Sequence, residues 1–292
     1  MNYEEFKSVL VAEMEKLLKP GERLEQNRVP KLNGELFDAV TVVDAEHEVF
    51  PTQYLNIWYE VYKEGNPVDK IAGALMELAS MDYPEQRMGY GFISDFENVS
   101  DKICCRLVNT RYNSKLLQRI PSISFLDLSV VFYIMIESKK GCSILTVDNN
   151  LLQEWDKKTS DLIHLATENT KRLNGKCVRT ISEIMETEAG FGKLGCPRDF
   201  PEVYVVGSKT GCNGAIYMLD LKMMEEYASR FEDDVLIIPS SVHEILVAPL
   251  GSMKRESVDS MIRDVNETVL SKEEHLSGHA YVYFRSEGKI CA

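Results

Sequence analysis

Apolar residues recur at helical spacing near the start of the chain. Within Asn2–Leu18 they fall at intervals of three and four residues, which predicts an amphipathic helix with one apolar face. Asn2 is a residue type that caps a helix N-terminus, and the Pro-Gly pair at Pro20 ends the pattern. The segments Tyr54–Tyr62 and Val68–Met81 have similar spacing and predict two further helices.

Strand patterns lie between and after these helices. Leu24–Lys31 and Leu36–Val43 are β-prone, and the Asn-Gly pair between them predicts a hairpin. Phe125–Ile136 is a nearly continuous apolar run rich in β-branched and aromatic residues, which is typical of a central strand buried on both faces. We expect Ser143–Val147 to pair with it across a short turn.

A strand–turn–strand–helix pattern occurs twice in the rest of the chain. Ser138–Cys142 and Ser208–Cys212 share the form S-K-x-G-C, and each lies between two apolar runs. In the second copy the run after the turn is Ala215–Leu219, predicted as a strand. Each copy then reaches an aspartate, Asp148 or Asp220, where a carboxylate can cap a helix. This repeated pattern predicts two ββα-type units.

These patterns together predict an α+β protein. We expect mixed, mostly antiparallel sheets covered by helices, with the two ββα-type units in the C-terminal two-thirds. The predicted domains are a helix–hairpin–helices subdomain at 1–90, a first ββα unit at 91–190 and a second at 200–292. Tyr83–Gly91 is the predicted linker, because it has a proline, two glycines and no periodicity.

Composition narrows the classes of function. The 292 residues carry a formal net charge of −13, and the first hundred hold 19 acidic against 9 basic residues. Direct nucleic-acid binding by phosphate neutralisation is therefore not expected. The longest uninterrupted apolar run, Val130–Ile136, is far shorter than the roughly 20 residues that span a bilayer, so no membrane role is expected. An acidic N-terminus and seven cysteines without a CxxC motif favour a cytoplasmic protein with reduced thiols.

The segment with the most reactive side chains close together is Ile237–Val247. Ser240, Ser241, His243 and Glu244 place two hydroxyls, an imidazole and a carboxylate together, and they are our candidate binding residues. His243 could act as a general base beside either serine, or pair with Glu244 on a metal. The favoured alternative is a serine-rich turn with His243 and Glu244 on opposite faces of a strand. No catalytic residue is assigned, and neither a metal nor a cofactor is predicted.

A glycine motif further along the chain does not indicate a dinucleotide site. Gly190–Gly195 matches G-x-G-x-x-G, which binds a dinucleotide only when a strand precedes it and a helix follows. Here the preceding Ile181–Glu188 has a helical pattern, and Cys196 and Pro197 come next. We therefore expect no dinucleotide site.

Four longer segments carry a family resemblance: Pro51–Gly65, Phe125–Glu137, Val235–Pro249 and Asp264–Phe284. The most specific marker is the IPSSVHE segment at Ile238–Glu244. These segments resemble an uncharacterised bacterial family, domain-of-unknown-function family 5688, which is found in clostridial gut bacteria. The family has no assigned activity. The resemblance implies only a soluble, cytosolic α+β protein of bacterial origin.

Three hypotheses for function follow. The first is a non-enzymatic accessory protein that binds a macromolecule, with another protein as its candidate partner. It is favoured by the acidic N-terminal third, the aromatic segment Tyr54–Tyr59 and the lack of a complete catalytic constellation. The second is a hydrolase-like or small-ligand-binding protein that uses the Ser240, His243 and Glu244 segment, which requires a concave pocket there. The third is an acidic nucleic-acid mimic. The oligomeric state is left open.

Overall fold

The contacts within the chain divide it into two units. The structure, a computed structural model, describes residues 1–46, 50–80, 84–138, 141–187 and 202–292. The N-terminal unit comprises 1–31, 35–99 and 136–144, and the C-terminal unit comprises 32–34, 100–135 and 145–292. The division into three segments that the sequence suggests stays a prediction.

Three helices and an antiparallel three-stranded sheet form the N-terminal unit's core. Helix α1 begins where predicted, because the side chain of Asn2 accepts the N–H of Glu5 while the Glu5 carboxylate accepts the N–H of Asn2. The predicted hairpin is confirmed, with Pro30 opposite Leu36. The elements are α1 (Tyr3–Glu15), β1 (Arg23–Pro30), β2 (Leu36–Val43), β3 (Thr52–Tyr54), α2 (Leu55–Lys63) and α3 (Val68–Ala79).

The aromatic residues of α2 are used inside this unit. Tyr59 and Tyr62 pack against Phe6 of α1, each with its ring centroid 5.2 Å from that of Phe6. Tyr3 meets Tyr59 edge-on at 5.2 Å, and Trp58 packs against the same core. Aromatic pairs in such geometries stabilise a fold beyond the effect of area burial. The aromatic pattern therefore reports core packing.

The linker predicted at Tyr83–Gly91 is wrong for the part of it that the structure describes. Pro84–Ile93 forms helix α4, which is kinked at Gly89 (φ 57°), and α5 (Phe96–Val99) follows. Proline is favoured at the first position of a helix, so Pro84 marks a helix start here. Glycine adopts a positive φ at little cost, which allows the kink at Gly89. The glycine that indicates a linker in the sequence therefore bends a helix in the structure.

Asp38 is the electrostatic centre of the N-terminal unit. Its carboxylate accepts hydrogen bonds from Lys7 at 2.9 Å and from Arg28 at 3.1 Å. Burial alone would raise the pKa of Asp38, but the hydrogen bonds from Lys7 and Arg28 outweigh it and hold the pKa below its usual value.

We expect this carboxylate to make the unit acid-sensitive. A depressed folded-state pKa contributes stability that is complete above the unfolded pKa of about 3.9 and is lost as pH falls through the folded value. Asp38→Asn should cost about 1–2 kcal/mol at pH 7 and much less at pH 3, measured by denaturant unfolding. The exposed Glu64→Gln is the control. An equal cost of Asp38→Asn at both pH values would contradict this account.

Two more antiparallel sheets occur in the described part of the chain after residue 100. In the smaller sheet β6 pairs with β4, β5 and β7, and its residues from Leu128 to Ile136 are all buried, as the apolar run predicts. The larger sheet has the order β13-β12-β10-β11-β9-β8. The strands are β4 (Ile103–Asn109), β5 (Ser122–Phe125), β6 (Leu128–Ser138), β7 (Gly141–Thr146), β8 (Lys176–Thr180), β9 (Tyr204–Ser208), β10 (Val235–Pro239), β11 (Glu244–Pro249), β12 (Tyr281–Phe284) and β13 (Lys289–Cys291).

Helices cover these sheets, which confirms the predicted α+β class. Val258 and Ile262 of α10 pack against Leu236 and Val282 on the larger sheet. On the smaller sheet, the hydroxyl of Thr170 in α7 accepts the main-chain N–H of a β4 residue. The helices are α6 (Asn149–Glu154), α7 (Thr159–Leu173), α8 (Ile181–Thr187), α9 (Leu221–Phe231) and α10 (Arg255–Thr268). Within the described residues, no helix is long and apolar enough to cross a bilayer.

The predicted repeat holds in its caps and fails in one strand. Asp148 accepts the N–H of Leu151 at 2.9 Å, and Asp220 accepts the N–H of Met223 at 3.2 Å, so both aspartates cap helices. The strand predicted at Ala215–Leu219 is wrong, because Gly214–Leu219 is a buried 3₁₀ helix. β9 pairs instead with β8 and β11. The second copy is therefore strand–3₁₀–helix. The glycine motif at 190–195 lies outside the described residues.

Candidate functional site

The turn between β10 and β11 brings the four candidate residues together. Ser240 Oγ donates to Glu244 Oε1 at 3.3 Å, and Ser241 Oγ accepts the main-chain N–H of His243 at 3.0 Å. The N–H of Ser241 donates to the carbonyl of Glu244 at 3.2 Å. The two hydroxyls thus satisfy groups of the turn itself, as a serine-rich turn favours.

The imidazole of His243 is held from two sides. Its Nδ1 accepts the main-chain N–H of Asn213 at 3.2 Å, which places the proton of the neutral ring on Nε2. Nε2 faces Glu274 Oε1 at 3.7 Å. A general base needs a ring nitrogen that can take a proton from its nucleophile. The structure does not bring His243 Nδ1 or Nε2 to Ser240 or Ser241.

Glu274 provides a fixed negative charge beside the ring. Its Oε2 accepts hydrogen bonds from the N–H and the hydroxyl of Ser271, at 3.0 and 2.7 Å. Those bonds, helped by His243 and His275, outweigh burial and hold the pKa of Glu274 below its usual value. The Val242 N–H also donates to the Glu274 carbonyl at 2.9 Å, which ties this segment to the turn.

The residue that holds Nδ1 of His243 is itself fixed in the structure. Asn213 is buried and has a left-handed backbone (φ 57°). Its main-chain N–H therefore holds the ring of His243 in one orientation.

A pocket of about 110 Å³ opens beside the turn. Cys177 on β8, Gly207 on β9 and Glu244 on β11 are direct cross-strand neighbours. Because Gly207 has no side chain, the space above it stays open between the other two residues. The pocket is lined by Cys177, Arg179, Gly207, Ser208, His243 and Glu244, among others.

His243 and Glu244 therefore face one pocket, and the expectation that they point to opposite faces of a strand is wrong. β11 begins at Glu244, so His243 belongs to the turn and the alternation of a strand does not apply to it. Ser240 and Ser241 support the turn rather than line the space. No cluster of three metal-ligating side chains occurs in the part of the chain that the structure describes.

The pocket walls carry charges of both signs. Arg179 on β8 is the direct cross-strand partner of Val205 and lies two positions along the strand from Cys177. Glu244 is on β11, two strands away from β8. Sequence reasoning found the turn but missed Arg179, Cys177 and Glu274, since nothing in their local sequence marks them.

A family model matches nearly the whole chain, from residue 3 to residue 285, and describes a "Family of unknown function (DUF5688)". The matched range contains every residue named in this pocket. No curated protein and no solved structure matches the chain. The resemblance that the sequence shows is confirmed, and no activity comes with it.

Proposed function

The chain belongs to DUF5688, a family of unknown function, so we propose a function from the pocket itself. The protein binds a small zwitterionic molecule of the amino-acid class in the pocket above Gly207. The observation that carries the proposal is an open space flanked by a guanidinium, Arg179, and a carboxylate, Glu244. Arginine pairs with carboxylates in a planar, charge-assisted geometry, and glutamate accepts hydrogen bonds from an ammonium group.

The size of the pocket supports a small ligand. Its volume of about 110 Å³ is well below the roughly 300 Å³ or more of sites for drug-sized molecules. The half-buried thiol of Cys177 adds a contact for a short polar side chain. Glycine, alanine and serine are the natural probes.

Binding fits this geometry better than hydrolysis. The hydrolase-like alternative needs a serine hydroxyl on a ring nitrogen of His243, and both nitrogens of that ring face other groups. The same contacts fix the His243 ring as part of the pocket wall, which suits a preformed binding site.

The macromolecule-binding alternative keeps the acidic N-terminal third as its support. Its second support, the aromatic residues of α2, is accounted for by packing within the N-terminal unit. An acidic nucleic-acid mimic rests on the same excess of negative charge. A cytoplasmic setting is also part of the proposal, because the cysteines at 104, 105, 177, 212 and 291 are free thiols. A bacterial origin is proposed from the family resemblance alone.

Thermal unfolding with added ligand tests the proposal. Glycine, L-alanine or L-serine should raise the melting temperature in proportion to occupancy, whereas acetate and methylammonium should not. Glu244→Gln and Arg179→Gln should each weaken binding about tenfold or more, since a hydrogen bond to a charged group contributes about 1.5–3 kcal/mol. Glu225→Gln and Arg111→Gln, both exposed, are matched controls. Equal binding by the pocket variants and the controls would exclude this site.

A further inference from the structure

Strand β8 lies at an open edge of the larger sheet. It pairs with β9 on one side, and no strand among the described residues lies on its other side. Lys176, Val178 and Arg179 of this strand are exposed, and Val178 is 40% exposed although it is apolar. An edge strand presents unpaired main-chain groups that can pair with a strand of another chain.

The register of β8 against β9 shows which of its main-chain groups point outward. Just beyond the two ends of the strand, the N–H of Lys209 donates to the carbonyl of Gly175 at 2.9 Å, and the N–H of Ile181 donates to that of Val203 at 3.0 Å. Positions that bond to the neighbour alternate along an antiparallel strand, so the odd-numbered residues bond to β9. The even-numbered residues direct their main-chain groups to the open edge. They are Lys176, Val178 and Thr180.

The centre of this edge has little protection. Natural edge strands are often guarded by a lysine side chain. Lys176 is held back instead, because its Nζ pairs with Asp220 Oδ2 at 3.1 Å. The outward N–H of Thr180 donates to Glu183 Oε2 at 2.8 Å, which closes one end of the edge. Within the described residues, the outward N–H and carbonyl of Val178 have no hydrogen-bond partner.

We propose that β8 pairs with β8 of a second copy of this chain, antiparallel and about a two-fold axis at Val178. In this register the two Val178 residues lie opposite each other and exchange both main-chain hydrogen bonds. The carbonyl of Thr180 accepts the N–H of Lys176 of the other copy, and the symmetric bond forms as well. The two exposed valine side chains cover each other on one face of the joined sheet.

The sequence of β8 fits a second copy as the occupant. The register brings Lys176 of one copy opposite Thr180 of the other, where the carboxylate of Glu183 is bonded. An ammonium group therefore approaches a carboxylate at each end of the paired strands. Cys177 lies opposite Arg179 on the other face, so no two like charges are directly opposed. The strand is thus compatible with its own reversed copy.

Sedimentation velocity of the full chain, at increasing protein concentration and without added ligand, tests the dimer. The wild type should pass reversibly from monomer to dimer. Val178→Glu and Val178→Lys should each stay monomeric, because like charges then meet at the two-fold axis. An equal mixture of these two variants should dimerise again, because a carboxylate then meets an ammonium group. This rescue is specific to a pairing in which position 178 of one copy faces position 178 of the other.

Two further variants separate main-chain pairing from side-chain packing. Val178→Pro removes the outward N–H and no bond within the described chain, so it should weaken dimerisation about tenfold or more while the protein stays folded by circular dichroism. Val178→Thr keeps that N–H and suits a strand, so this matched control should dimerise as the wild type does.

The proposal is overturned if the wild type stays monomeric at every concentration, if both charged variants still dimerise, or if their mixture does not. A Val178→Pro protein that dimerises as tightly as wild type would also overturn it, because the dimer would then form through another surface. Each of these results concerns the chain without ligand. A failure here would therefore leave the binding of glycine, alanine or serine above Gly207 as a separate question.

Discussion

Gly214→Ala is expected to unfold the C-terminal unit, or to destabilise it by about 4 kcal/mol or more. A Cβ on Gly214 would lie 2.4 Å from the carbonyl oxygen of His243, 2.5 Å from the nitrogen of Ser208 and 2.6 Å from the carbonyl carbon of Gly207. All three are main-chain atoms at the ends of β9 and β11. These atoms cannot move away from the added Cβ without breaking the pairing of the two strands. Denaturant unfolding followed by circular dichroism measures the effect.

Gly207→Ala is the matched control, because it should keep the stability of the protein and lose ligand binding. Its Cβ would lie 3.5 Å from the carbonyl oxygen of His243 and 3.6 Å from Cβ of Glu244, which are ordinary contacts. Stability should be unchanged or slightly higher, since glycine weakens a strand. The added methyl group fills the floor of the pocket, so binding of glycine, alanine and serine should be lost.

Each result can contradict one element of the structure. A Gly214→Ala protein as stable as wild type would show that the turn at Asn213 does not pack beneath His243. A Gly207→Ala protein that binds glycine as tightly as wild type would remove the pocket from the proposed function. The two glycines are seven residues apart and play different roles.

Elements specified by short-range contacts could be predicted from the sequence. Asn2, Asp148 and Asp220 each cap a helix through a bond to a residue three positions away, so the signal lies within one turn. The hairpin at Asn33-Gly34 and the turn at Ser240-Ser241 depend on local backbone preferences in the same way.

Elements specified by distant contacts could not be predicted. Ala215–Leu219 reads as a strand because it is apolar, but the main chain of His243 lies against Gly214 and leads it into a 3₁₀ helix. Asn169 and Thr170 show the same dependence on distant residues. Both lie inside α7, where Asn169 donates to the carbonyl of Ile103 and Thr170 accepts from Cys105.

The residues of the candidate site also fall into those specified by nearby residues and those specified by distant ones. The turn and its four residues are contiguous in sequence, and they were found from residue types alone. The groups that decide their chemistry, Asn213 on Nδ1 of His243 and Glu274 beside Nε2, come from segments about 30 residues away on either side. No spacing rule in the sequence links Asn213 and Glu274 to His243, because the tertiary fold brings the three residues together.

Phe6→Ala is expected to cost the N-terminal unit about 3–5 kcal/mol. Phe6 is fully buried, and its ring contacts Tyr59 and Tyr62 of α2, so truncation leaves a cavity between two helices. Alanine is the better helix former, so the loss is due to packing and not to helix propensity. Urea unfolding followed by near-ultraviolet circular dichroism, which reports the ordered tyrosine rings, measures it.

Val9→Ala on the same helix is the control, and it separates packing from the apolar pattern. Val9 belongs to the stripe that predicted α1, yet it is 39% exposed, because successive residues turn by about 100° and it lies at the edge of the buried face. Its replacement should change stability by about 0.5 kcal/mol or less. Equal losses for Phe6→Ala and Val9→Ala would mean that α1 packs through a different face. The aromatic residues of α2 would then be free for a partner, which would return support to the macromolecule-binding alternative.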